Sequence, residues 1–283
     1  FEGFKHAFDI VAYDKVHPLS MKFSESGYIY TKTDSELKNP YNSLVSKVDN
    51  CIFVCVPTPM NSDGSCNTSI VDKVVCDISE AAKELNKQGI VVIIKSTVVP
   101  GTTLRLNNTY QNIKVVFNPE FLRERSSLDD FKSQDRIIVG GPHKGTTLVK
   151  QMYEIAYPNV PVTKTSSTIA EMVKYMTNCF LATKVSFANE MSQLCDKLEI
   201  DYDKVVEYAT KDKRLGDSHW AVPGPDGEKG FGGSCFPKDL NAILKLAESM
   251  DVELNTMQGA WETNLNVRPA KDWENLKGRA VSE

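Results

Sequence analysis

Short runs of consecutive apolar residues, separated by helix-patterned stretches, dominate the first half of the chain. Phe8-Asp9-Ile10-Val11-Ala12-Tyr13 ends at Asp14, and Cys51-Ile52-Phe53-Val54-Cys55-Val56 ends at Pro57-Thr58-Pro59. Gly89-Ile90-Val91-Val92-Ile93-Ile94 runs through Lys95 to Ser96-Thr97, and Lys114-Val115-Val116-Phe117 stops at Asn118-Pro119. Arg136-Ile137-Ile138-Val139 runs into Gly140-Gly141, and a helix is predicted over residues 69–88. Near-continuous Val/Ile runs alternating with helices indicate an α/β fold with a parallel sheet covered on both faces. Ligands of such sheets bind at the carboxyl ends of the strands, where these Asp, Thr, Ser, Pro and Asn residues fall.

After about residue 166 the strand pattern stops. Ile169, Met172, Val173, Met176, Phe180, Phe187, Met191, Leu194 and Leu198 recur at three- and four-residue steps, which predicts one long helix over 167–198. A second helix is expected over 201–210, and further ones over 237–250 and 253–266. Between them, Lys211–Gly233 is rich in Gly, Pro and charge and is too long to be a plain connector. The shift divides the chain into a sheet domain, 1–166, and an all-α domain, 167–283.

Composition agrees. At roughly 100–200 residues per domain, 283 residues make about two domains. The 33 Lys and Arg against 37 Asp and Glu leave a net charge of −4, so no basic stripe invites a nucleic acid. No apolar run approaches the roughly 18 residues of a membrane span, and no secretory leader is expected at Phe1-Glu2-Gly3. Seven cysteines, an odd number without a CxxC pair, predict free thiols, a cytoplasmic setting and no metal site.

The segment richest in candidate chemistry is Gly230-Phe231-Gly232-Gly233-Ser234-Cys235-Phe236-Pro237-Lys238-Asp239. A glycine turn with a structural cysteine is the plain reading of such a start. The Pro-Lys-Asp that follows changes it. Glycines allow close backbone approach to a ligand, and Pro237 suits the first turn of a helix. Cys235 is then expected at a helix start with Lys238 nearby, a setting that favours a nucleophilic thiolate. Lys174 and Asn178, spaced i and i+4, share one helix face, which by itself could be a solvated polar stripe. Asn118 followed by Pro119 reads as an N-cap and first helical residue, so Glu120 is either an acid-base group or a complement to a helix dipole. Asp14 ends the first strand, where an acidic residue can bond a ribose hydroxyl, although a lone Asp there is more often a turn residue.

These residues make the chain resemble the UDP-glucose/GDP-mannose dehydrogenases. Four further segments follow the same family in order: Cys55-Val56-Pro57-Thr58-Pro59, Lys95-Ser96-Thr97-Val98-Val99-Pro100-Gly101-Thr102, Asn118-Pro119-Glu120-Phe121-Leu122-Arg123-Glu124, and Ala170-Glu171 with Lys174 and Asn178, continuing to Asn189-Glu190. The resemblance implies a Rossmann-like NAD-binding domain followed by a helical domain that dimerises through its long helix. It implies NAD as cofactor, a nucleotide sugar as substrate, and four-electron oxidation of the sugar's C6 alcohol to an acid, with UDP-glucose favoured over GDP-mannose. Cys235 is the implied nucleophile, through a thiohemiacetal and a thioester. Lys174 and Asn178 would stabilise the C6 oxyanion, Asp239 and Thr97 would hold a water, and Glu120 would act in hydrolysis. Asp14, Thr58, Thr97, Glu124 and Lys238 are implied cofactor contacts. Phe121, Leu122, Arg123, Glu124, Lys174, Asn178 and Gly232 would bind the sugar, and Arg214 would reach the neighbouring subunit's sugar site.

The family begins with a strand and a GxGxxG turn and ends in a second nucleotide-binding domain. Neither is in this sequence, so a truncated start is the expectation, and the end is either that of a fragment or that of a short homologue lacking the domain. Two other readings stay open: a one-step β-hydroxyacid dehydrogenase, which has no use for Cys235, and a non-catalytic binding or assembly homologue. Trp261, Arg268 and Trp273 are expected to pack rather than to bind a nucleotide.

Overall fold

The computed structural model describes residues 3–4, 6–8, 10–12, 29–30, 41–123 and 126–283. Asp14 and Glu124 lie outside the described residues. A two-stranded parallel pair, β1 (Val11–Ala12) and β2 (Ile29–Tyr30), comes first, followed by α1 (Asn42–Lys47). The apolar runs then become β3 (Cys51–Val54), β4 (Val91–Ile94), β5 (Lys114–Phe117), β6 (Ile137–Gly140) and β7 (Val162–Thr165). These five form one sheet in the order β3-β4-β5-β6-β7. Between them come α2 (Ser69–Glu84), α3 (Thr102–Thr109), α4 (Ser127–Lys132) and α5 (His143–Ala156).

Strand β4 is buried along its whole length, and its side chains alternate between two cores. Val92 and Ile94 pack with Val71, Val75 and Ile78 of α2, while Val91 and Ile93 pack with Val149 and Tyr153 of α5. That is the two-faced burial its unbroken apolar run predicts. One pairing departs from an all-parallel sheet: β6 meets β5 antiparallel, through Phe117 and Gly140. A parallel return uses a crossover helix packed on a sheet face. Here the intervening helix, α4, has no buried residue, so it cannot serve as that crossover. Strand β7, unforeseen in the sequence, is a partly exposed strand of Val-Thr-Lys-Thr, too polar to register as an apolar run. Helix α2 stops short of residue 88, and Asn86 just beyond it takes a left-handed conformation.

The second half is helical: α6 (Ser167–Lys197), α7 (Tyr202–Ala209), α8 (Phe236–Glu248) and α9 (Asn255–Val267), with 3-10 turns at Lys213–Leu215 and Asp272–Asn275. Asp201 caps α7 by accepting from the Asp203 and Lys204 amides. No helix among the described residues is long and apolar enough to cross a membrane.

Contacts divide the chain into two units, Phe1–Val56 with Ser69–Lys174, and Pro57–Thr68 with Tyr175–Glu283. This division by contacts differs from the expected boundary at 166 in two places. First, the opening two turns of α6 belong to the sheet unit. Gly140 lets them approach, since a Cβ there would lie 2.5 Å from the Ala170 Cβ and 2.7 Å from the Ser166 carbonyl oxygen. Glu171, fully buried, accepts from the Gly101 amide at 2.6 Å and the Thr103 amide at 2.8 Å, satisfying donors at the start of α3. Burial pushes the Glu171 carboxyl up, and those bonds pull it only part of the way back. Second, residues 57–68 join the helical unit, because Met60 exchanges backbone hydrogen bonds with Ala280 and Ser282.

Replacing Glu171 with alanine leaves two buried amides without an acceptor. Glu171→Ala is expected to lose at least about 2 kcal/mol of stability, read from urea unfolding midpoints at constant slope. A midpoint equal to wild type would show that the clamp carries no weight.

Candidate active site

In the sheet unit the candidate residues gather where β4 and β5 end. Ser96 ties the ends of β3 and β4 together, its hydroxyl donating to the Val56 carbonyl and accepting from the Val56 amide. Thr97 follows it, buried. After β5 the chain does not enter a helix. Residues 118–123 are irregular, which corrects the N-cap reading of Asn118. Its side chain is spent elsewhere: Oδ1 accepts from the Tyr153 hydroxyl at 2.5 Å and the Lys95 ammonium at 3.2 Å, and Nδ2 donates to the Ile138 carbonyl.

Without a helix behind it, Glu120 has no dipole to complement. It has a lysine instead. Lys174, buried on α6, donates to the Glu120 carboxylate at 2.9 Å and to the Glu120 carbonyl oxygen at 2.6 Å. The Leu122 amide donates to the other carboxylate oxygen at 2.7 Å. Burial alone would push this carboxyl up. Lys174, the Leu122 amide and Lys95 outweigh it, and the net direction is down. Because the folded-state value is depressed, the pair's contribution is full above the ordinary carboxylate range and is lost as pH falls below it.

The Phe121 ring lies 5.6 Å from the Lys174 ammonium and 4.8 Å from the Arg136 guanidinium, and Leu122 is half-buried. Arg123 is exposed and turned back onto Asp130, with bonds of 2.6 and 3.0 Å to its carboxylate. As placed, its guanidinium serves Asp130 rather than a pocket wall.

In the helical unit a second group forms on α6 and α8. Cys235, with an exposed thiol, is the N-cap residue of α8, and Pro237 lies in the first turn, as the sequence suggests. Asn178 of α6 donates to the Asp239 carboxylate at 2.6 Å, and the Lys238 ammonium pairs with its other oxygen. Asp239 is 1% exposed. Burial pulls the Lys238 ammonium down, but Asp239, Cys235 and Cys66 together raise it, so it stays charged. Thr58 is buried in the same unit.

The loop leading to Cys235 is held by its backbone. The amides of Gly230, Phe231 and Gly233 donate to the side chains of Asn189, Asn264 and Asp272 at 3.2, 2.7 and 2.9 Å. Buried Arg268 bonds Asp272 at 2.6 Å, Asp226 at 2.7 Å and the Lys229 carbonyl at 3.3 Å. Gly232 is packed against that cluster, for a Cβ would come within 2.4 Å of Asp272 and 2.5 Å of Arg268. Its lack of a side chain thus serves packing here. Arg268 and Trp273, both buried, pack as expected, the Trp273 ring 5.4 Å from that of Trp261.

Arg214, on the 3-10 turn, is exposed and bonded to Asp212. Lys184 of α6 holds that turn through the Leu215 and Gly216 carbonyls at 2.9 and 3.2 Å, its ammonium 4.5 Å from the Trp220 ring. The roles of Lys184, Lys95 and Asn264 all escape a sequence reading. Only Lys95 leaves a signal, a lysine directly after a wholly apolar run.

The carboxyl ends of β3, β4 and β5, the edge where parallel sheets bind dinucleotides, carry Thr97 between Ser96 and Asn118, whose side chains brace that edge from within. Thr97 is the described candidate to meet NAD at that edge of the sheet unit.

Comparison with known proteins agrees with this picture. Residues 29–157 match the NAD binding domain of the UDP-glucose/GDP-mannose dehydrogenase family, and residues 168–266 match its central domain. The UDP-glucose 6-dehydrogenase YwqF of Bacillus subtilis is 37% identical over 226 residues, 76% of this chain and 48% of that protein. The UDP-glucose 6-dehydrogenase of Rickettsia conorii is 33% identical over 230 residues, 80% of this chain and 51% of that protein. This chain thus spans about half the length of the curated relatives it matches. Among solved structures, a UDP-glucose dehydrogenase from Pyrobaculum islandicum superposes with a TM-score of 0.81 at 29% identity, covering 94% of this chain and 64% of that one. A GDP-mannose dehydrogenase from Pseudomonas aeruginosa gives 0.61 at 26%, covering 93% and 60%. With two consecutive domains matched over most of its length, the chain belongs to the UDP-glucose/GDP-mannose dehydrogenase family.

Proposed function

We propose that this protein oxidises the C6 alcohol of a nucleotide sugar to the carboxylate with NAD, through a covalent intermediate on Cys235. The observation that carries the reading is the exposed Cys235 thiol at the start of α8, followed within one turn by the Lys238–Asp239 pair that Asn178 holds. UDP-glucose is the favoured substrate, because the curated relatives named above carry that activity in their names and the UDP-glucose dehydrogenase fold superposes better than the GDP-mannose enzyme.

When bound, NAD supplies the acceptor for the hydride lost from C6 in each of the two oxidations. Lys174 and Asn178 stabilise the C6 oxygen as negative charge develops on it. The Cys235 thiolate, favoured by the helix start and by Lys238, adds to the C6 aldehyde, forming a C–S bond and a thiohemiacetal. Loss of the second hydride leaves a thioester. A water oriented by Asp239 and Thr97 then adds to the thioester carbon and gives a proton to Glu120, which is ionised and able to accept one. The C–S bond breaks, the thiol is regenerated and the carboxylate is released. Phe121, Leu122 and Gly232 are the candidates to frame the sugar. Asp14, Glu124, Thr58, Thr97 and Lys238 are those for the dinucleotide.

A homodimer through α6 belongs to the same proposal. Along that helix Ile169, Met176, Phe180, Phe187, Leu194 and Leu198 are each at least half exposed, and seven-residue steps link 169 to 176 and 180 to 187 to 194. A second copy of this stripe is the partner we propose, which is also what would bring Arg214 to a neighbour's sugar. Seven free cysteines support a cytoplasmic setting.

The intact protein supplied with UDP-glucose and NAD is expected to yield two NADH per sugar, and Cys235→Ser to yield no acid product. One NADH per sugar in wild type would count against the thioester route. Light scattering is expected to give a dimer, and Phe180→Glu with Leu194→Glu a folded monomer. A wild-type monomer would contradict the shared helix.

A further inference from the structure

One half-buried lysine in the sheet unit has no part in the chemistry above. Lys95 follows β4 directly, and its ammonium donates to the Asn118 side-chain oxygen at 3.2 Å and the Pro119 carbonyl at 3.4 Å. Both acceptors belong to the two residues that immediately precede Glu120. Asn118 is locked from its other sides by the Tyr153 hydroxyl and the Ile138 carbonyl. The groups that face Lys95 are Cys55 after β3, Glu120 on the bend, Lys174 from α6 and, through Asn118, Tyr153 of α5. The Phe131 ring of α4 lies 6.0 Å from the ammonium.

We propose that Lys95 is a positioning residue for Glu120: it pins the Asn118–Pro119 bend that presents the Glu120 carboxylate to Lys174, and it stands as a second cation beside that carboxylate. This rests on the reading of Glu120 as the group that takes the proton in thioester hydrolysis. Three features support it. The bend is irregular backbone, so side-chain bonds of this kind join the Asn118 and Leu122 amide bonds in fixing where Glu120 points. Lys174 alone already pairs with Glu120, so a second ammonium adds little to folding. Enclosing that ammonium is costly: burial drags Lys95 down to about 8, despite the opposing influence of Cys55 and Glu120. A methionine would fill the end of an apolar strand without this cost, so a lysine here speaks for a task at the bend.

The proposal predicts a consequence for Glu120 itself. With Lys95 charged, Glu120 stays ionised and Lys174 need not be its sole counter-ion. Removing the charge makes the carboxylate easier to protonate, so its titration moves upward.

The test is a carboxyl-carbon NMR titration of Glu120, assigned by its loss in Glu120→Gln, in wild type, Lys95→Met, Lys95→Gln and Lys95→Arg. In the Met and Gln variants the midpoint is expected to rise by at least about half a pH unit, and in Arg to stay near wild type. Thermal midpoints of the Met and Gln variants are expected at or above wild type. In turnover, Lys95→Met is expected to lower kcat by about ten-fold or more with little change in KM for the sugar, and to move the acid limb of the pH profile upward. The double variant Lys95→Met/Glu120→Gln is expected to be no slower than Glu120→Gln alone. An unmoved Glu120 midpoint, or losses that multiply in the double variant, would overturn the proposal. Full activity in Glu120→Gln would instead sink the hydrolytic reading of Glu120, while the NMR shift would still report the Lys95 contact.

Discussion

A buried carboxylate sets the geometry of the sheet unit. Glu171 sits one turn into a 31-residue helix and spends both oxygens on the first amides of α3. The Gly101–Thr103 turn follows β4 by only a few residues, so this clamp ties α6 to the carboxyl end of the sheet. Gly140 completes the docking by removing the one Cβ that would hold the helix off. Once that turn is fixed, Lys174 lies three residues on and reaches the bend after β5. A small shift of the helix would strand the buried Lys174 ammonium without its half-buried partner Glu120, which is more damaging than never having placed a charge there. The placement of the candidate acid-base group is thus a consequence of how one helix begins.

The helical unit solves a different problem, that of presenting a cysteine on a glycine-rich loop with little side-chain packing of its own. Three loop amides are bonded by Asn189, Asn264 and Asp272, two of them carried on α6 and α9. Arg268 braces Asp272 from behind while it also holds Asp226 and the Lys229 carbonyl. Local rigidity is therefore imported from distant parts of the chain. In both units, an irregular segment bearing candidate chemistry is held by buried polar side chains whose hydrogen bonds are met, the arrangement expected of a preorganised site.

How much of this is legible in the sequence follows from what each signal encodes. Unbroken apolar runs record burial on both faces, so β3, β4 and β5 are readable within a residue or two. The three- and four-residue rhythm of α6 is equally plain. Pairing direction leaves no such trace, which is why the antiparallel meeting of β5 and β6 is visible only in the fold. Asn118-Pro119 has the local form of a helix start, but Tyr153 and Lys95, distant in sequence, claim the asparagine first. A domain boundary inside a continuous helix changes neither composition nor period, so the division after Lys174 is hidden where a shift at 166 is obvious. The pairing of Arg123 with Asp130 and of Arg214 with Asp212 is likewise visible only in the fold.

The central claim is that the sugar becomes bonded to Cys235 and that hydrolysis of the bond needs Glu120. It is tested most directly by incubating Glu120→Gln with UDP-glucose and NAD, quenching in acid and mapping the adduct by peptide mass spectrometry. The account predicts an acyl adduct on the peptide containing Cys235, at a level well above that in wild type. A Glu120→Gln enzyme that consumes NAD yet carries no adduct on Cys235 would contradict it.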